Sequence, residues 1–87
     1  TRILTNPCRG VVPLELAMNI AARARVSVHD LLGREVRRLY DDLLPVGSHL
    51  LRWDGRDSRG RTTPAGIYFL RAESRGASTV VSVCRVR

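Results

Sequence analysis

Two carboxylates and two glycines packed into one short stretch, Asp54-Gly55 and Asp57 with Gly60, form the densest cluster of chemistry-capable groups in the chain. Oxygens spaced this way can hold a hard cation, but Ca²⁺ takes about six to eight oxygens and the stretch offers two carboxylates. The same residue types cap backbone amides in turns, and glycine supplies the positive φ that other residues resist. Turn capping is therefore the better account of Asp54, Gly55, Asp57 and Gly60. His29 and His49 stand outside any nucleophile-activating arrangement with serine, cysteine or acid. Asp30 and Glu35 read as a turn cap and a solvated acid beside Arg34, not as an acid/base pair. No catalytic, cofactor-binding or metal-binding set emerges, and two cysteines with two isolated histidines do not make a zinc site. The chain is expected to be non-enzymatic, with no cofactor and no small-molecule substrate.

Cys8 and Cys84 lie near opposite ends. In a small domain they read most simply as one disulfide joining the first strand to the last, which points to export. Closing so long a loop removes about 4–4.5 kcal/mol of unfolded-state entropy. The alternative is a pair of buried thiols in a reducing compartment.

The elements that must position these residues are short strands. At 87 residues there is room for one domain, 1–87, with 1–10 serving as linker plus first strand. Such a chain buries roughly 60–65% of its unfolded surface, so its core is thin. From Val12 the pattern alternates, with Val12, Leu14, Leu16 and Met18 on one face and Pro13, Glu15, Ala17 and Asn19 on the other. Ala21-Ala22-Arg23 reads as a turn, and Ala24, Val26 and Val28 alternate in a second strand. Asp30 to Gly33 fits a type I turn, and a strand follows over Glu35 to Tyr40 with Val36 and Leu39 facing the core. A helix over 31–44 has the right apolar spacing, but Gly33 interrupts it early. Asp41-Asp42 to Gly47 reads as a loop. Ser48 to Trp53 is the next strand, with Trp53 as the central packing residue of the core. Gly66 to Glu73 places Tyr68, Leu70 and Ala72 on one side. Ser74-Arg75-Gly76-Ala77 is a hairpin turn, and Ser78 to Arg87 is the last strand. About six or seven antiparallel strands at this spacing describe an all-β Greek-key sandwich, Ig-like or fibronectin-III-like. No internal repeat stands out.

The net charge of +7 raises a polyanion reading. All fifteen basic residues are Arg, however, and they are scattered, with Arg37-Arg38 the only adjacent pair. Phosphate-tracking surfaces gather cations on one face and interleave aromatics. A basic nucleic-acid-binding module is thus the alternative of another class. No apolar run reaches the roughly 18–20 residues of a membrane-spanning helix, and no basic-then-apolar leader opens the chain. Its start at Thr1 reads as that of a processed or excised segment.

Asn6-Pro7, Val28-His29-Asp30-Leu31-Leu32-Gly33-Arg34-Glu35-Val36, Pro45-Val46-Gly47-Ser48-His49, Trp53 through Gly60, and Pro64-Ala65-Gly66-Ile67-Tyr68-Phe69 occur in this order. Together they closely resemble the Ig-like domain of flagellar hook-capping proteins and the related C-terminal sorting domains of the type IX secretion system. The likeness covers nearly the whole chain. It implies a structural module of a bacterial exported or cell-surface protein, acting in sorting, attachment or scaffolding. It also implies protein partners: the secretion machinery, the parent protein or neighbouring copies. Within that class, a self-assembling extracellular fibre subunit is the alternative, with Thr79, Val80, Val81 and Val83 as the strand that pairs with neighbours. Lys is usual in the final strand of sorting relatives, where this chain has Ser82-Val83-Cys84-Arg85-Val86-Arg87.

Overall fold

The computed structural model describes residues 2–5 and 11–85. Seven strands follow in order: β1 (Arg2–Thr5), β2 (Val12–Met18), β3 (Ala22–His29), β4 (Glu35–Leu44), β5 (Gly47–Trp53), β6 (Gly66–Ser74) and β7 (Ala77–Arg85). All pairings are antiparallel. They build a three-stranded sheet, β1-β2-β5, against a four-stranded sheet, β4-β3-β6-β7. This is the expected fibronectin-III-like sandwich. Among the described residues, no helix is long and apolar enough to cross a membrane.

Period-two alternation selects which side chains meet between the sheets. Val12, Leu14, Leu16 and Met18 of β2 face Val26 and Val28 of β3, Leu70 and Ala72 of β6, and Val83 of β7. Trp53 at the end of β5 is fully buried among them. Its ring meets Tyr68 edge to face, with centroids 5.1 Å apart.

Three expectations shift. β4 does not stop at Tyr40 but continues to Leu44, carrying Asp41 and Asp42 in a strand instead of a loop. Asp41 is tolerated there because Arg23, Arg25 and Arg38 surround its carboxylate at 3.0, 3.6 and 3.4 Å. β3 begins at Ala22, opposite Leu44, so the preceding turn is shorter than the alanine run implies. Val36 and Leu39 do pack against the core, but as bulged residues: the β3–β4 register skips each of them. Glu35, expected as a solvated acid beside Arg34, is exposed and pairs with Arg38 at 3.3 Å.

Candidate functional site

One end of the sandwich is closed by two loops, the β3–β4 turn and the long β5–β6 connection. The two contain the same device. In Asp30-Leu31-Leu32-Gly33-Arg34, the Asp30 Oδ1 accepts from the amides of Leu32 (2.9 Å) and Arg34 (3.0 Å), and Oδ2 accepts from Arg34 Nε (3.0 Å). The backbone closes with Gly33 N donating to Asp30 O and Asp30 N donating to Arg34 O. In Asp57-Ser58-Arg59-Gly60-Arg61, Asp57 Oδ1 accepts from the amides of Arg59 (2.9 Å) and Arg61 (3.0 Å), and Oδ2 lies 3.5 Å from Arg61 Nε. Gly60 N and Asp57 N make the corresponding backbone bonds. Both glycines adopt nearly the same left-handed φ, 82° at Gly33 and 80° at Gly60. The pentapeptide Asp-x-x-Gly-Arg is therefore one structural unit used twice, a short internal repeat where none was expected.

The fold lowers the pKa of both carboxyls. For Asp57 the amide of Arg61 is the leading cause, opposed by partial desolvation and reinforced by Arg59 N and the Arg61 charge, and the carboxyl sits below its usual value. For Asp30 desolvation is the largest single influence and raises the value. The amides of Arg34 and Leu32 and the guanidinium of Arg34 together outweigh it, so this carboxyl is lowered too.

The rest of the long loop is stitched from within. Asp54 Oδ1 accepts from Arg56 N and from Arg37 Nη1, at 3.0 and 2.9 Å. Trp53 Nε1 donates to Arg56 O at 3.0 Å. Thr63 returns to Gly55, donating from both N and Oγ1 to its carbonyl, and Tyr68 Oη donates to Pro64 O at 2.7 Å. Ser58 N donates to Val36 O and ties the loop to β4. Gly66 opens β6 opposite Arg85. The residues singled out as architecture, from Trp53 to Tyr68, thus form one closed network. With the Asp54 and Asp57 carboxylates engaged by amides and guanidinium groups, they act as caps. No group of three potential metal ligands occurs among the described residues.

Two features escaped the sequence. Arg85, on the last strand, turns inward and is buried; its Nη1 donates to Thr63 O at 2.8 Å while its Nε has no partner among the described residues. Nothing in an Arg on an alternating strand announces this inward register. The second is a Ser–His contact: Ser27 Oγ lies 2.8 Å from His29 Nε2, with Gly33 O 3.4 Å from Nδ1. The sequence expectation places no serine near His29 in a nucleophile-activating arrangement, whereas a serine is within hydrogen-bond distance. Ser27 is nevertheless buried, so its hydroxyl is closed to a substrate. His49, on β5, bonds Pro45 O at 2.8 Å and ties the strand to the β4–β5 turn.

Cys84 is exposed on β7 and its thiol is unpaired in this structure, which removes the reading of two buried thiols. Cys8 lies outside the described residues. Thr79, Val80, Val81 and Val83 lie on β7, which among the described residues is an edge strand laddered to β6. Val83 points into the core and Val80 is exposed. Much of the basic excess is paired: Arg23, Arg25, Arg34, Arg37, Arg38, Arg61 and Arg71 all make ion pairs with carboxylates, and Arg85 is inside.

The class is an Ig-like domain, a three-on-four sandwich whose loop carboxylates are engaged by its own amides and guanidinium groups. The chain belongs to the FlgD Ig-like domain family, which matches residues 6–78. Among solved structures it is similar to FlgD from P. aeruginosa, with a TM-score of 0.67 and 26% identity, covering 83% of this chain and 57% of that one. It is also similar to dimeric latent PorU from Porphyromonas gingivalis, with a TM-score of 0.76 and 19% identity over 97% of this chain and 9% of PorU. PorZ of the same organism, described as an essential bacterial surface component of the type IX secretion system, gives a TM-score of 0.63 and 20% identity over 98% of this chain and 11% of PorZ. At these identities the last two show a shared fold. The chain thus spans a small fraction of PorU and PorZ and little more than half of FlgD. No curated protein matches it at the same stringency.

Proposed function

We propose that this chain is a non-catalytic attachment domain of an exported or surface-associated bacterial protein, engaging the secretion or assembly machinery through protein contacts. Family membership supports the structural role, and the type IX secretion context of PorZ supports the placement. The observation that carries the contact is the contrast between the two edges of the four-stranded sheet. β4 is guarded by Glu35, Arg37, Arg38, Asp41 and Asp42, whereas β7 runs from Ala77 to Cys84 without a charge. Charged edges block strand addition, and a bare edge invites it. The same edge serves the second reading, a fibre subunit that pairs with its own copies.

The experiment replaces Val80 and Ser82, both exposed, with lysine in the bacterium that encodes the chain. Surface-exposed parent protein, read by protease accessibility and immunoblotting, is expected to fall several-fold with the melting temperature unchanged. Full surface display of the double variant would reject the edge, and full display after deletion of the whole domain would reject the attachment role.

A further inference from the structure

The turn joining the last two strands carries a backbone strain that the rest of the described chain avoids. Ser74 pairs with Ala77 across β6 and β7, so Arg75 and Gly76 alone make the connection. Both have left-handed backbones, with φ of 54° at Arg75 and 78° at Gly76. A two-residue hairpin loop of this shape favours Asn, Asp or Gly at its first position. Arg75 is instead the only non-glycine residue with a positive φ among the described residues, and a Cβ in that region crowds its own backbone.

The strand beyond this turn can leave without breaking a second pairing. Among the described residues β7 stands at the end of the order β4-β3-β6-β7 and is laddered to β6. Its inner face nevertheless fills a specific seat. Val83 is buried in the core and Val81 packs against it. Arg85 sets its guanidinium against Gly55 and donates to Thr63 O at 2.8 Å. A vacated seat exposes apolar core, and the sequence that fits it is present in every other copy of the chain.

We propose that the chain dimerises by exchanging β7. The Arg75-Gly76 turn opens, and β7 of each copy pairs with β6 of the other and brings Arg85 against the other copy's Gly55. The contacts of the seat are kept, because the occupant is the same strand, and the crowding at Arg75 is released in both copies; short hinges under strain favour such exchange. Each copy gives and receives the same element, so the assembly closes on a two-fold axis and does not grow. It is separate from strand addition at the outer edge, which leaves each β7 on its own β6.

Native mass spectrometry and sedimentation of the full chain, incubated at about 10 μM to about 1 mM, test it. A dimer that increases with concentration and grows no further is expected. Arg75→Gly removes the crowding and should lower the dimer constant about a hundredfold, about tenfold for each hinge. Arg75→Pro cannot close the turn, because proline holds φ near about −65°, and should be mainly dimeric. Val80→Lys, at an exposed position, should change nothing. Gly55→Ala and Arg85→Ala chains, mixed, give the sharpest reading. In their exchanged heterodimer one seat joins the two alanine substitutions and the other regains native Gly55 with Arg85. Heterodimers should therefore exceed random assortment. A wild-type chain that stays monomeric at about 1 mM overturns the proposal, as do random assortment of the two variants and a dimer undiminished by Arg75→Gly. Dimers lost in Val80→Lys also overturn it and assign the association to strand addition.

Discussion

Gly55 and Arg85 occupy one space. A Cβ built on Gly55 would fall onto Nε and Nη2 of the Arg85 guanidinium and within 2.8 Å of its Cζ, and Gly55 sits at a left-handed φ of 79°. The guanidinium lies against the one residue in the loop that can admit it, and from there it reaches Thr63 O, whose own amide and hydroxyl return to Gly55 O. The last strand thereby holds both ends of the long loop.

Gly55→Ala is expected to destabilise the fold by about 2–3 kcal/mol, from overpacking and from the left-handed backbone together. In an Arg85→Ala background the steric part disappears, and the same substitution should cost only about 1 kcal/mol. A double-mutant cycle in urea measures this coupling. Additive effects would show that the two side-chain positions do not share the space.

How much of this was legible follows from the period of the signal. Alternation in β2 and β6 announces which residues face inward, and Trp53 stands out as the one large residue able to centre a thin core. Asp54 and Asp57 are readable as caps because their side chains act on amides a few residues away. Arg85 was not readable, because its partners, Gly55 and Thr63, are far along the chain and a strand has no local rule for a buried cation. The bulges at Val36 and Leu39 were hidden for the same reason, since register belongs to the pairing with β3 and not to β4. The twin turns were readable in principle.

Acid should loosen the end closed by the β3–β4 and β5–β6 loops before the rest of the sandwich. Asp30 and Asp57 both have folded values below the ordinary 3.8. A lowered folded value means stability that is fully present above 3.8 and is lost as pH falls from there through the folded values, because the unfolded chain takes up its protons first. Stability measured by urea unfolding is expected to be flat in this respect above about pH 5 and to decline below about pH 4. In Asp30→Asn with Asp57→Asn the acid-dependent decline should shrink, with lower stability at neutral pH. An unchanged acid limb in the double variant would show that other carboxylates set it.

The indole is expected to be indispensable. Trp53 is fully buried, stacks edge-on to Tyr68 and bonds Arg56 O. Trp53→Ala should cost about 3–5 kcal/mol, a large share of the roughly 4–13 kcal/mol available to a domain of this length. Trp53→Phe keeps an aromatic ring but leaves the Arg56 carbonyl without its donor, at about 1–3 kcal/mol. Near-ultraviolet circular dichroism and urea titration distinguish the two. A native-like spectrum and unchanged midpoint for Trp53→Ala would remove the indole from the centre of the fold.

The cysteines give the last expectation. Cys84 projects from β7 next to buried Val83 and Arg85, and its thiol is accessible. In oxidising conditions an accessible thiol near one end of the chain is available to Cys8 near the other, and a bond between them would close a loop spanning almost the whole domain. Its stabilisation is about 4–4.5 kcal/mol if unstrained, comparable with the lower estimates of the domain's entire stability. Air-oxidised protein is therefore expected to be lighter than its reduced form by two hydrogens, to resist alkylation until reductant is added, and to unfold at markedly higher urea than Cys84→Ser. Quantitative alkylation of both thiols in the oxidised sample would mean that the bond does not form, and Cys84 would then be an exposed thiol on the outer face of an edge strand.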